Sequence, residues 1–413
     1  MIKKAKYYGW IVVGLLWVVA LLNYLDRLLI ASMRDPIKES ITMTDAQFGL
    51  LTSVFLWVYG ILSPFGGYIA DKFSRKKVIV LSLLVWSAVT LWTGFVHSFT
   101  EMLVARAIMG ISEACYIPAA LALITDYHKG RTRSLATGLH ISGLYAGMAL
   151  GGAGGYIADF WGWRYGFQLF GGFGLIYSVV LLLILRDFPE ELSESNNVLN
   201  EAKEITPENR VTIPGSLRNL FGTGSYWILL FYNGAIGMSF WVIYSWLPTY
   251  LKEHFNLNLG EAGISATGFI QIASFIGVVA GGIIADRWSR KNIRGRLFMP
   301  VIGFTIGAPF LFLMASTSVF GIAVVGMIMF GIARGFHDCN LMPIMCQVID
   351  KRYRATGYGF LNFVSTVVGG IMVYAGGALK DANVSLSVVF QISAVGHLIA
   401  SWFMLLVRPN KEC

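Results

Sequence analysis

The 413 residues are 56% apolar, 14% aromatic and only 13% charged, with a mean hydropathy of +0.64. A water-soluble globule carries roughly a quarter charged residues, so the composition excludes an ordinary soluble enzyme and makes lipid the main solvent. The net charge of +9 does not point to nucleic acid, because the 32 Lys and Arg punctuate apolar runs and form no basic module with interleaved aromatics.

Met1 to Lys6 precede an apolar stretch from Tyr7 to Leu25. It is too long for a signal peptide and lacks a small-residue cleavage site, so it is expected to stay as the first span, ended by Asp26 and Arg27. Runs free of Asp, Glu, Lys and Arg predict spans over 46–70, 78–100, 134–158 and 165–185. A charged helix over about 100–125, carrying Arg106 and Glu113, completes six. Residues 187–225 are polar, with Pro207 and Pro214, and read as a cytoplasmic linker. Spans follow over 226–251 and 262–285, then a run from Leu297 to Ala333 that must fold back as two helices. The second of these, over about 319–349, carries Arg334 and Asp338, and 355–379 and 382–407 close the chain. The expected architecture is an all-α membrane protein with twelve transmembrane helices in two pseudo-symmetric halves, residues 1–186 and 226–413. If both termini are cytoplasmic, only Arg34, Lys38, Arg164, Lys252 and Lys380 fall outside, while Arg27, Arg106 and Arg334 are intramembrane. That bias fixes the orientation, and the expected location is a plasma membrane, a bacterial inner membrane. Cys115, Cys339 and Cys346 lie in apolar segments without CxxC spacing, so neither a disulfide framework nor a metal site is expected.

The chain repeats itself. Gly66-Gly67-Tyr68-Ile69-Ala70-Asp71-Lys72-Phe73-Ser74-Arg75-Lys76 follows the second span, and Gly281-Gly282-Ile283-Ile284-Ala285-Asp286-Arg287-Trp288-Ser289-Arg290-Lys291 follows the eighth. Arg133 to Gly138 and Arg352 to Gly357 share Arg-x-x-Ala-Thr-Gly. Two parallel six-helix halves follow from this register. The loops resemble the signature of the major facilitator superfamily, with Ser74 and Ser289 where glycine is usual. The resemblance implies that Gly67, Asp71 and Arg75, with Gly282, Asp286 and Arg290, form gates whose contact between halves holds the outward-facing state. Asp71 and Asp286 end helices, where the dipole disfavours an anion, so each needs a neighbouring cation or another helix's N-terminus. The alternative is that they only set topology.

Charges inside a bilayer cost a few kcal/mol each. Asp26, Arg27, Arg106 and Glu113 sum to zero and are expected to form a paired cluster. Burial and an adjacent guanidinium act on a carboxylate in opposite senses, so a movable Arg can switch it between holding and releasing a proton; an inert ion-pair network is the alternative. Asn23-Tyr24-Leu25-Asp26-Arg27 and Arg106 to Glu113 narrow the resemblance to the anion:cation symporters of sugar acids and the Spinster-like lipid transporters. Both imply proton coupling at Asp26 and Glu113, with Arg106 grouped here, and substrate binding or coupling at Arg27. Trp246 to Leu251 and Ala136-Thr137-Gly138 look more like the organic-anion group.

The tenth helix departs from both groups with Arg334, His337, Asp338 and Asn340. Arg334 is spaced to pair with Asp338, yet its planar fork also suits a substrate carboxylate or sulfonate. Tyr24, Tyr116, His140, Tyr145, Tyr232, Trp241, Tyr244, Gln271 and Asn362 are further cavity-lining candidates. No HExxH, Walker A or nucleophile elbow occurs, and an enzyme is not expected. The expected function is proton-coupled uptake of a small organic anion by a monomer, with no cofactor, nucleic acid or metal. A Spinster-like exporter of a lysolipid is the alternative.

Overall fold

In hydrocarbon a backbone must satisfy its own polar groups, and apolar runs of span length do so as α-helices. The computed structural model describes residues 2–128, 132–188, 213–350 and 353–409, and every regular element among them is helical. α1 (Ile2–Leu29) passes through a 3-10 turn into α2 (Arg34–Ser40). The first span therefore runs to Ser40, and Asp26 and Arg27 lie inside it instead of ending it. α3 (Asp45–Lys72) and α4 (Arg75–Thr93) form spans two and three. The fourth is broken into α5 (Phe99–Glu113) and α6 (Tyr116–Tyr127), the fifth into α7 (Arg133–Gly151) and α8 (Gly154–Trp161), and α9 (Trp163–Ile184) is the sixth.

Of the expected linker, residues 189–212 lie outside the described residues, and its end forms α10 (Ile213–Gly222). α11 (Gly224–Phe255), α12 (Leu259–Ser289), α13 (Gly295–Ser316), α14 (Phe320–Cys346), α15 (Arg354–Asp381) and α16 (Leu386–Phe403) follow. The Leu297 to Ala333 run folds back between α13 and α14. Among the described residues, 11 helices are long and apolar enough to cross a membrane. The twelfth span, α7 with α8, is diluted by Gly, Ser and His140.

The helix pairings repeat as the sequence does. α1 packs on α7 as α11 packs on α15, α3 on α5 as α12 on α14, and α4 on α9 as α13 on α16. Between the two sets, α3 lies along α15, and α7 with α8 lies along α12. These cross-contacts concentrate near the face carrying Asp45 and Leu259, here the distal face; the opposite, terminal face carries Tyr7 and Arg408. On the distal side the backbones touch. A Cβ on Gly152 would sit 2.2 Å from the Gly263 carbonyl oxygen, and one on Gly377 would sit 2.2 Å from that of Asp45. Ser53 Oγ donates to Gly370 O at 2.6 Å, and Trp57 Nε1 donates to Val367 O at 3.2 Å.

Charges seal the same face. Arg34, buried at the distal end of the first span, pairs with Asp45 and, at 2.5 Å, with Asp35. Lys252, from the end of α11, pairs with Asp35 across the halves, and Arg34 Nη1 lies 3.6 Å from Glu253. The carboxylate of Asp381 accepts 2.8 Å bonds from the N–H groups of Asp45 and Ala46, so one half caps the start of a helix in the other. On the terminal face two ion pairs form within single halves: Arg75 pairs with Asp126, and Arg296 with Asp286 at 2.5 Å.

Overpacking costs about 1–3 kcal/mol, so Gly263→Val is expected to open the distal face by about tenfold or more in population. Accessibility labelling of a cysteine placed on the distal side of α12 would read this as faster modification. Unchanged labelling would mean that the close approach does not hold the face shut.

Candidate functional site

Arg27 is the anchor of the mid-membrane site. Its Nε donates to Glu113 Oε2 at 2.7 Å, and both side chains are essentially solvent-free. The guanidinium lies between aromatic rings, 4.5 Å from the centroid of Tyr24, 4.4 Å from Tyr59 and 5.1 Å from Phe55. Among the described residues Nη2 of Arg27 and Oε1 of Glu113 have no partner within hydrogen-bond geometry.

The expected four-charge cluster is looser than the sequence suggested. Adjacent residues on a helix point about 100° apart, so Asp26 cannot join Arg27 and turns toward α4, where Thr90 Oγ1 donates to its Oδ2 at 3.3 Å. Oδ1 of Asp26 is unpaired. Arg106 makes no ion pair among the described residues; it reaches Leu51 O at 3.4 Å and Met109 Sδ at 3.3 Å, and covers Phe55. The cluster is one direct pair with two enclosed charges beside it.

The last six spans supply a counterpart. Arg334 Nε donates to Asp338 Oδ2 at 3.1 Å, so the i,i+4 pair does form. Its guanidinium lies 3.4 Å from the centroid of Phe240 and 5.4 Å from that of Tyr244, and Nη1 is unpaired. The same Asp338 oxygen accepts a 2.9 Å bond from Tyr145 OH, so the two halves also meet at mid-membrane. Gln271 bonds Tyr244 and leaves its Oε1 free. Tyr24 lies within electrostatic reach of Arg27, Arg334 and Asp338, and Tyr358 within reach of Tyr24, Tyr59 and Asp338. The two arginines therefore border one region.

Other sequence candidates group elsewhere. Tyr116 and His140 are fully buried 2.9 Å apart, with the tyrosine also donating to Leu16 O, inside the first half. His337 lies 2.8 Å from Tyr232 OH and stacks near Phe304 in the interior of the second half. Asn340 bonds the Phe336 carbonyl at 2.9 Å, and Asn362 is half-buried on α15. In the duplicated loops, the side chains at positions 67 and 71 lie outside the described ones. Gly282 has open space around it, whereas a Cβ on Gly66 would meet Ala114 O at 2.3 Å and one on Gly281 would meet the Phe336 ring at 2.8 Å. In each copy the first glycine is required by its packing. Asp286 bonds within its own half and Arg290 is exposed. Ser74, where glycine is usual, caps α4 by accepting from the Lys77 N–H.

Sequence reading missed Phe55, Tyr59, Thr90, Phe240 and Tyr358, which carry no motif. It also missed the distal charges Asp35, Asp45, Glu253 and Asp381.

A profile of the Major Facilitator Superfamily matches residues 16–374. A probable sulfoacetate transporter of Cupriavidus necator is 26% identical, with 96% of this chain and 93% of the relative covered. A probable L-galactonate transporter of Escherichia coli is 25% identical, covering 96% and 90%. Among solved structures, a bacterial homologue of the lysosomal transporter Spinster, inward-facing and unoccupied, superposes with a TM-score of 0.79 at 20% identity, covering 98% of this chain and 99% of that one.

Breaking a buried ion pair from one side costs about 3–5 kcal/mol, because a charge is left uncompensated. Glu113→Ala is therefore expected to melt well below the parent, while Glu113→Gln, which keeps an acceptor for Arg27, loses less. Thermal melts of the two purified variants in one detergent check this; equal losses would mean that packing volume, not the Arg27 contact, is what Glu113 supplies.

Proposed function

The chain belongs to the Major Facilitator Superfamily, and on that premise we propose that it is a proton-coupled symporter taking up a small organic anion of the sugar-acid type by alternating access. The observation that carries this reading is a pair of buried guanidinium groups, one from each half, both within electrostatic reach of Tyr24. Arg27 comes from the first six spans and Arg334 from the last six, each bedded on aromatic rings and each with an unpaired N–H. A carboxylate or sulfonate suits such an edge better than any neutral group. An acid seated between them touches both halves, so its binding favours the state in which they close around it. The sulfoacetate and galactonate relatives are named for cargo of the same charge class.

Asp26 and Glu113 are the proton carriers in this scheme. A proton on Glu113 removes its charge from Arg27 and frees that guanidinium for the substrate acid, which ties the two cargoes to one event. Arg106 supplies a nearby positive field. The excess of Lys and Arg supports a cytoplasmic terminal face, and with that orientation the closed distal face corresponds to an inward-directed state. The unit is a monomer driven by the proton gradient, with no cofactor.

Uptake into proteoliposomes tests the reading. Glu113→Gln and Asp26→Asn are expected to abolish gradient-driven accumulation of a sugar acid while counterflow exchange persists. Arg27→Lys is expected to weaken binding by about tenfold, since lysine cannot reproduce the fork. Full accumulation by Glu113→Gln would remove the proton role. Competition by a lysophospholipid as strong as by any acid would favour the lipid-export alternative.

A further inference from the structure

We infer that Arg334 forms a second acid-group subsite, so that the preferred substrate is a hydroxylated di-acid held by one arginine at each end. This rests on the organic-anion reading above and goes beyond it. The basis is a symmetry in how the two guanidinium groups are used. Each is anchored through Nε to a carboxylate of the chain, Arg27 to Glu113 at 2.7 Å and Arg334 to Asp338 at 3.1 Å. Each retains one enclosed Nη with no partner. Each has its flat face covered by aromatic rings, so the remaining attraction lies at its edge.

A mono-acid satisfies one of these edges and leaves the other unpaired in a low-dielectric site. A di-acid satisfies both, and a charge-assisted contact to a guanidinium is the stronger kind of hydrogen bond. Internal pairing does not remove this need. Asp338 occupies only the Nε side of Arg334, and its Oδ2 is already shared with the Tyr145 hydroxyl. Acceptors border the same region. Among the described residues Gln271 Oε1 is unpaired beside Tyr244, and Asp338 Oδ1 lies 3.9 Å from His337 Nε2. Acceptors suit hydroxyl donors and repel a further anion, so they match the middle of a polyhydroxylated chain and not its ends. The hydroxyls of Tyr24 and Tyr358 make no hydrogen bond among the described residues and add donors along the same path.

D-Gluconate and D-glucarate separate the alternatives, since they share a six-carbon hydroxylated chain and differ in one terminal acid group. Binding of each to the purified full-length protein is measured at neutral pH, where both are ionised. Glucarate is expected to bind about tenfold or more tightly. In Arg334→Gln the ratio of the two affinities is expected to fall to within about twofold, and in Arg334→Lys, which keeps the charge without the fork, to an intermediate value. Variants are compared only as monodisperse protein with a cooperative melt, and the lysine variant keeps the test intact if the glutamine one does not fold. Equal binding of the two acids by the parent protein, or a glucarate preference that survives in both variants, overturns the inference while leaving an anion carrier in place. Binding of neither acid alongside binding of a neutral lipid overturns both.

Discussion

An ion pair sealed from water, Arg27 with Glu113, sets the terms for the middle of this protein. Neither group is affordable in hydrocarbon alone, so α1 and α5 must stay adjacent, and aromatic rings must cover what the carboxylate does not. That requirement explains why Tyr24, Tyr59 and Phe55 gather where they do. Just past the pair, α5 stops at Glu113 and α6 restarts at Tyr116. The break lies against Gly66, whose lack of a side chain lets α3 approach the Ala114 carbonyl. A loop motif and a buried charge, far apart in sequence, are thus in mechanical contact.

The two faces of the bundle are held by different means. On the distal face, hydrogen bonds, glycine contacts and ion pairs all cross from one set of six spans to the other. On the terminal face, Arg75 and Asp286 find partners within their own sets. The resemblance-based picture of Asp286 as a contact between halves is not realised in this arrangement, because Arg296 from the start of α13 is nearer.

Much of the fold was legible because the solvent imposes it. Uninterrupted apolar length marked the spans, and the fold-back within Leu297 to Ala333 followed from length alone. The duplicated loop announced the internal repeat that the helix pairings display. What escaped was set by direction, not by composition. Asp26 and Arg27 looked like the end of a span because charges usually are, yet both are enclosed and the helix runs on to a turn at Ile30. Tyr116, His140 and His337 carry plausible chemistry for a cavity, but their side chains point into the packed interior of one half. Phe240 and Tyr59 are ordinary aromatics until a guanidinium is seen over their rings. No spacing rule gives that.

The indole of Trp57 belongs to one set of spans and the carbonyl it bonds, Val367, to the other. Separating the distal faces must break this bond and hand the ring's N–H to water. A fluorine atom on that indole would feel the exchange as a change in its magnetic shielding. Placed at position 57 alone among the 12 tryptophans, that one-atom change would give a resonance whose populations and exchange rate time the motion from within.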